Sequence, residues 1–309
     1  MRLAHLSDLH LSADKKPENL IKVEQLLAAV ADSGVHHLVI TGDLTHNAGI
    51  EDLRLLRGLL IKYDLLRSDR LSLVIGNHDI FGGIFLAEEI LTMPKRWSET
   101  DYHQQVNTFC HYFRESFDNT IRPLKDSYFP FAKIIGNQLL IGINSIAPYS
   151  KIRNPLTSNG RVNSGEFDAV KQLLDGSEFS DLSKIVITHH HFMPKMHYRD
   201  QPQNVLWKVF EHHIMKLRGK AKMINLLAKH GVRLVLHGHV HDNHSYSLKG
   251  VRFLNGGASV EGYQGELCIN FVTLAGRHDL ELQIQKFSDN RYIYDEVPVI
   301  ESLVPQFAG

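Results

Sequence analysis

Five times in this chain a short apolar run stops at a tight group of Asp, Asn, His and Gly. Residues 2–7 end at Asp8-Leu9-His10, and 36–40 end at Gly42-Asp43. Residues 71–75 end at Gly76-Asn77-His78-Asp79, 184–188 run into His189-His190-His191, and 232–236 into Gly238-His239-Val240-His241. Between the first three groups, residues 17–32 and about 50–63 carry apolar side chains at helical spacing, with Pro17 suited to a first turn. Strand, helix, strand, helix, strand is the pattern of parallel βαβ units. Asp8 and Asp43 stand 35 positions apart and Asp43 and Asn77 stand 34 apart, each close to one such unit. Loops at the carboxyl ends of parallel strands line one edge of the sheet, where ligands bind in α/β proteins. The two later groups also follow apolar strand runs, so all five can meet there.

Residues 80–135 interrupt the rhythm. They are aromatic and polar, with a helix expected near 101–117, and read either as a cap over the strand ends or as a packing element without a ligand. The alternation resumes with a strand at 138–144, a helix at 164–175 and a long helical region over about 203–229. Beyond 241, HSYSL, VRFLN and ELCINFVTL read as antiparallel strands joined by Gly-rich turns. No repeat, linker or shift in composition marks a boundary. The expected organisation is one domain over 1–287 with an insertion at about 81–135, followed by a packed tail over 288–309.

Composition narrows the partners. Among 309 residues, Lys+Arg and Asp+Glu both number 34, and a net charge of zero argues against gripping nucleic acid. The two cysteines, Cys110 and Cys268, cannot staple a chain this long. The first residues hold no secretion-type apolar run, and no stretch is long and apolar enough for a spanning helix, so the expectation is a cytoplasmic protein. Histidine is the unusual count, twenty in all. Solvated surface positions would account for most of them, but those beside Asp, Asn and Gly have the composition of metal sites.

Residues two apart on an extended segment share a side and lie about 6–7 Å apart. Asp8/His10 and His239/His241 are therefore expected each to straddle two ions about 3.5–4 Å apart. Gly42, Gly76 and Gly238 allow turns closed to other residues. Any one group is weak evidence, since Asp-x-His recurs by chance and Gly-Asp is a common turn. Their joint occurrence, in order and each at a strand end, is specific. Oxygen and imidazole donors without thiolate suit Mn²⁺, Fe or Zn²⁺. Two such cations lower the pKa of a shared water and stabilise both oxygens of an in-line displacement.

The stretches LSDLHL, TGDLT, GNHD, THHH and HGHVH resemble, in order and spacing, the signature blocks of the calcineurin-like metallophosphoesterases, and span residues 6–241. The resemblance implies an α/β fold, a four-layer αββα sandwich with two divalent metal ions at the sheet edge. Carried over, Asp8, His10, Asp43 and His241 would hold one ion. Asp43 would bridge to a second ion that Asn77, His189 and His239 complete. His191 stands where the family often has Pro, which leaves open whether His189 or His190 is the ligand; His189, directly after the strand, is preferred. A hydroxide bridging the ions would attack phosphorus. His78, oriented by Asp79, would steady the phosphoryl oxygens or protonate the leaving group.

Within the family, His46-Asn47-Ala48-Gly49 and Asp79 depart from the protein Ser/Thr phosphatases, and Leu44-Thr45 from the repair nucleases. Gly42-Asp43-Leu44-Thr45 is most similar to bacterial phosphodiesterases acting on cyclic nucleotides, glycerophosphodiesters and related small molecules. The alternatives are a lipid-precursor pyrophosphatase, its acyl chain covered by the aromatic insert, a DNA-repair-type nuclease, and a scaffold that has lost catalysis. None of the seven expected metal positions is substituted, which argues against the last. Asn144, Arg161, His197, Tyr198 and Arg199, in loops expected to face the strand ends, are the candidate contacts to a small phosphorylated substrate.

Overall fold

The computed structural model describes residues 1–84, 89, 91–193, 215–262, 265–275, 279–288, 291–293 and 299–300. Strand β1 (Arg2–Leu6) leads into helix α1 (Pro17–Asp32), β2 (His37–Thr41), α2 (Ile50–Lys62) and β3 (Leu71–Val74). Pro17 sits in the first turn of α1, where its missing N–H costs nothing. Val23, Leu26, Leu27 and Val30 form the buried stripe of α1, at the spacing that puts residues on one helix face. Leu53, Leu56 and Leu60 do the same on α2.

After β3 come the one-turn helix α3 (His78–Phe81), α4 (Met93–Glu99), α5 (Tyr102–Tyr112) and a 3₁₀ turn at Arg114–Phe117. They are followed by β4 (Phe131–Ile135), β5 (Gln138–Gly142), β6 (Gly160–Arg161), α6 (Ser164–Asp175), β7 (Ser183–Ile187) and β8 (Leu217–Arg218). Then come α7 (Lys220–Lys229), β9 (Val232–His237), β10 (His244–Leu248) and β11 (Val251–Asn255). The last described strands are β12 (Leu267–Ala275), β13 (Asp279–Ser288), β14 (Arg291–Ile293) and β15 (Val299–Ile300).

The strands form two large sheets. The first has the order β14-β13-β12-β1-β2-β3, with β15 also on β13; β1, β2 and β3 are parallel. The second has the order β10-β11-β9-β7-β5-β4, parallel from β11 through β5 and antiparallel at both edges. Alternation along the second sheet sorts its two faces. Leu140, Ile185, Ile187, Leu234 and Leu236 share one core with the first sheet, α1 and α2. Leu139, Ile141, Val186 and Val235 share another with α6 and α7. The layers are therefore helix, sheet, sheet, helix, the expected α/β sandwich, and both sets of parallel strands end along one edge.

Three expectations change. Among the described residues the helical region read over about 203–229 is broken before Lys220: Leu217–Arg218 pair with β6, and Gly219, in the left-handed region at φ 79°, separates that strand from α7. The part at 203–214 lies outside the described residues. The segment 101–117 is α5 followed by a tighter 3₁₀ turn, broken at Phe113. Within 81–135, residues 131–135 are an edge strand of the second sheet, because Phe131 and Ala132 are buried against it. Histidine burial is also greater than a surface reading allows. His5, His37 and His237 lie fully buried, His5 against the Thr41 hydroxyl and His37 between Asp69 O and Ser72 Oγ. No helix among the described residues is long and apolar enough to cross a membrane.

Candidate metal centre

Parallel pairing does not stop where β1 and β2 end. Asp8 N–H donates to Gly42 O, His10 N–H to Asp43 O and Leu11 N–H to Leu44 O, each at 3.0 Å. The two polar loops are thus zipped together, and the backbone turns sharply to do it. Asp8 (φ 53°), His10 (φ 44°), Asp43 (φ 50°) and His239 (φ 73°) all lie in the left-handed region, uncommon for residues with a Cβ. Gly76 is required by the same crowding: a Cβ there would lie 2.1 Å from the Asp43 amide nitrogen and from its Oδ1.

Two groups of side chains converge at this edge. In the first, the Nε2 atoms of His10 and His241 stand 3.1 Å apart, and Asp8 Oδ1 is 3.6 Å from the latter and 4.0 Å from the former. In the second, His189 Nε2 lies 3.1 Å from Asn77 Oδ1, 3.1 Å from His239 Nδ1 and 3.4 Å from Asp43 Oδ2. Within each of the trios Asp8/His10/His241 and Asp43/His189/His239 the donor atoms lie within 4.8 Å of one another. His239 and His241 fall in different groups, although His239 too has left-handed backbone (φ 73°). Asp8 and His10 fall in the same group, which corrects the expectation that they straddle two ions. Their left-handed backbone replaces the extended segment on which it rested.

The donors are held from behind. Asp8 Oδ2 accepts from Ser7 Oγ at 2.6 Å and from His239 N–H at 3.1 Å, and Asp8 Oδ1 is buried with no hydrogen-bond partner among the described residues. Asp43 Oδ1 accepts from His78 N–H at 2.8 Å. His189 Nδ1 donates to Thr41 O at 2.8 Å, which fixes the ring with Nε2 facing Asn77 and Asp43. Both nitrogens of neighbouring His190 are engaged elsewhere, with Ser145 Oγ at 2.8 Å and Ser158 O at 3.2 Å. A buried carboxylate oxygen without a donor and imidazole nitrogens facing one another fit divalent cations. Burial alone would raise the Asp43 carboxyl and lower His189. Their mutual attraction instead holds Asp43 well below the carboxylate range and lifts His189 to about 9.

His78 and Asp79 do not pair. Asp79 Oδ1 accepts from Thr45 N–H (2.8 Å) and Thr45 Oγ1 (3.2 Å), and Oδ2 accepts from Gly76 N–H (2.9 Å). Asp79 therefore ties the Gly42–Thr45 loop to the Gly76 turn. The expectation that it orients His78 is corrected: His78 Nδ1 instead faces His46 O at 3.2 Å. The physical cause is local, since Asn77 is helical and His78 opens a one-turn helix that turns residues 78 and 79 apart. Burial and the nearby Asp43 charge push Asp79 up to about 7.

Asn144 is also corrected as a substrate contact. It is buried, its Nδ2 donates to the Tyr102 hydroxyl and its Oδ1 accepts from Ile146 N–H, both at 2.9 Å. Arg161 is exposed on β6, and its N–H donates to Ser145 O at 2.8 Å; it belongs to neither converging group. His197, Tyr198 and Arg199 lie outside the described residues. Sequence reasoning missed His46, a buried ring 5.0 Å from His78 and 5.5 Å from His10 between ring centroids. Its place in the loop after Asp43 was a usable signal. Burial, then His78 and Lys16, push it down to about 3, so the ring is neutral.

Solved structures share the architecture at low sequence identity. A purple acid phosphatase from yellow lupin (Lupinus luteus) superposes with a TM-score of 0.59 at 14% identity, over 95% of this chain and 52% of that one. This chain thus spans about half the length of the lupin enzyme. A dimetal phosphatase from Danio rerio superposes with a TM-score of 0.60 at 11% identity, over 92% of this chain and 95% of that one. No curated protein sequence matches. At these identities the likeness carries the fold alone, but the sequence model of calcineurin-like phosphoesterases matches residues 1–243, the stretch that holds every donor described above. The chain belongs to that family.

Proposed function

We propose that the protein hydrolyses small-molecule phosphodiesters, of the cyclic-nucleotide or glycerophosphodiester type, with two divalent ions at this edge. The observation that carries the reading is the pair of adjacent carboxylate–imidazole groups. Asp8, His10 and His241 would hold one ion; Asn77, His189 and His239 the other; and Asp43 would span them. The ions supply positive charge for the phosphoryl oxygens and lower the pKa of a water. Everything else falls to the chain. Ser7, Thr41 O and the His78 N–H fix the donors' orientation, so little rearrangement is needed when charge develops. His78 is only partly buried, and with Nδ1 turned to His46 O its other nitrogen can give a proton to the departing ester oxygen.

The diester preference rests on the Gly42-Asp43-Leu44-Thr45 sequence and on the absence of an Arg in the loop after it. The test is turnover of an aryl phosphodiester and of the matching monoester by protein reconstituted with Mn²⁺, Fe²⁺ or Zn²⁺. Elemental analysis should give two ions per chain, and the diester should be cleaved faster. A monoester preference with every metal would remove the substrate assignment, and a single ion would remove the dinuclear one.

A further inference from the structure

Among the described residues a third set of donor atoms converges at the strand ends beside the two described above. In the third, nitrogens of His10, His46 and His78 lie within 4.8 Å of one another. Its chemistry differs from the others: each of those two contains a carboxylate, and this one contains imidazole alone. We propose that His46 and His78 form an oxyanion clamp in which the His46 ring N–H donates to a phosphoryl oxygen of the bound phosphoester. The inference rests on the phosphoesterase reading above and adds to it the residue that grips the non-metal side of the phosphoryl group.

Geometry favours an anion over a third cation. His10 Nε2 is already turned to His241 at 3.1 Å, and His78 Nδ1 to the His46 carbonyl at 3.2 Å. A third dication would stand a few ångströms from two others, where like charges repel and a phosphoryl group is attracted. The clamp is also braced as a unit. The carbonyl of His46 accepts from Gly83 N–H at 2.7 Å as well as facing His78, so the residue that carries one ring positions the other. Gly83 lies against both rings: a Cβ there would fall 2.1 Å from His78 Cε1 and 2.8 Å from His46 Nε2. No side chain can stand at position 83 while both rings keep their places. His78 remains partly accessible, which leaves an approach for the ligand.

The test uses full-length protein loaded with Mn²⁺ and titrated calorimetrically with inorganic phosphate, with metal content measured on the same samples. His46→Ala should keep both ions and bind phosphate about ten- to a hundredfold more weakly, as loss of a hydrogen bond to a charged group implies. His46→Gln, which restores an N–H donor, should recover most of that loss. Gly83→Ala, which leaves both histidines present but displaces them, should weaken phosphate binding without releasing metal. Loss of an ion from His46→Ala would make His46 a ligand and overturn the clamp. Unchanged phosphate affinity in metal-replete His46→Ala would make it a wall of the site and overturn it equally. If the unaltered protein fails to load two ions, the dinuclear reading falls first and takes this inference with it.

Discussion

Asp8, His10, Asp43 and His239 hold left-handed backbone, which costs about 1–2 kcal/mol for each residue with a Cβ. Such conformations persist where the surroundings over-determine them, and here the cross-loop bonds from Asp8, His10 and Leu11 do so. Gly76→Ala tests the crowding: its Cβ would strike the Asp43 amide and carboxylate, so metal affinity should fall before stability does. Equilibrium dialysis with Mn²⁺ beside thermal denaturation separates the two, and a variant that unfolds yet retains affinity when folded would contradict this. His78→Ala should behave oppositely, keeping both metals while turnover falls about 10²–10⁴-fold. That loss should shrink for an ester whose leaving group departs unprotonated. A metal-free His78→Ala protein would mean that His78 is a ligand or a brace.

At the scale of elements, the two sheets are tied at the opposite ends of their strands as well as at the metal edge. Lys133, buried on β4 of the second sheet, donates to Leu71 O at the start of β3 (2.5 Å) and to Ser68 O (3.2 Å). Burial lowers its pKa from 10.5 to about 7, against the opposing pull of Asp69 and Asp118. Between these values the unfolded chain binds more protons than the folded one, so stability rises with pH across that window and is lost as pH falls toward 7. Denaturant titrations at pH 7 and pH 9.5 should show it, and Lys133→Met should flatten the dependence. An unchanged slope in that variant would place the titrating group elsewhere.

For the whole molecule, the centre joins the two sheets: Asp8, His10, Asp43 and Asn77 come from the first, His189, His239 and His241 from the second. Ions bound across that seam stabilise the folded chain by mass action, about 2.7 kcal/mol per site at a hundredfold excess over Kd. Chelation should therefore lower Tm by several degrees, and Asp43→Asn should lose most of that response. A Tm indifferent to chelator, in protein shown by analysis to have lost its metal, would mean that the ions do not bridge the sheets.

The parallel units and their spacing were legible because helix and strand periodicities are local, and because 35 and 34 positions each span one βαβ unit. The strand-end placement of Asp8, Asp43, Asn77, His189 and His239 followed from that alone. The break at Gly219 and the edge strand at 131–135 were not legible, since one turns on a single backbone angle and the other on which neighbour buries Phe131. Sequence alone thus determined which donors reach the shared edge. For Asp8 and His10 the two-residue spacing and the family resemblance implied different groupings, and the tertiary structure decided it: Asp8 lies with His10, His239 apart from His241, Asp79 away from His78, and His46 beside it. The physical reason is that grouping depends on left-handed turns and on contacts across two sheets. Those contacts join residues from 32 to 231 positions apart, and no periodicity along the chain encodes them.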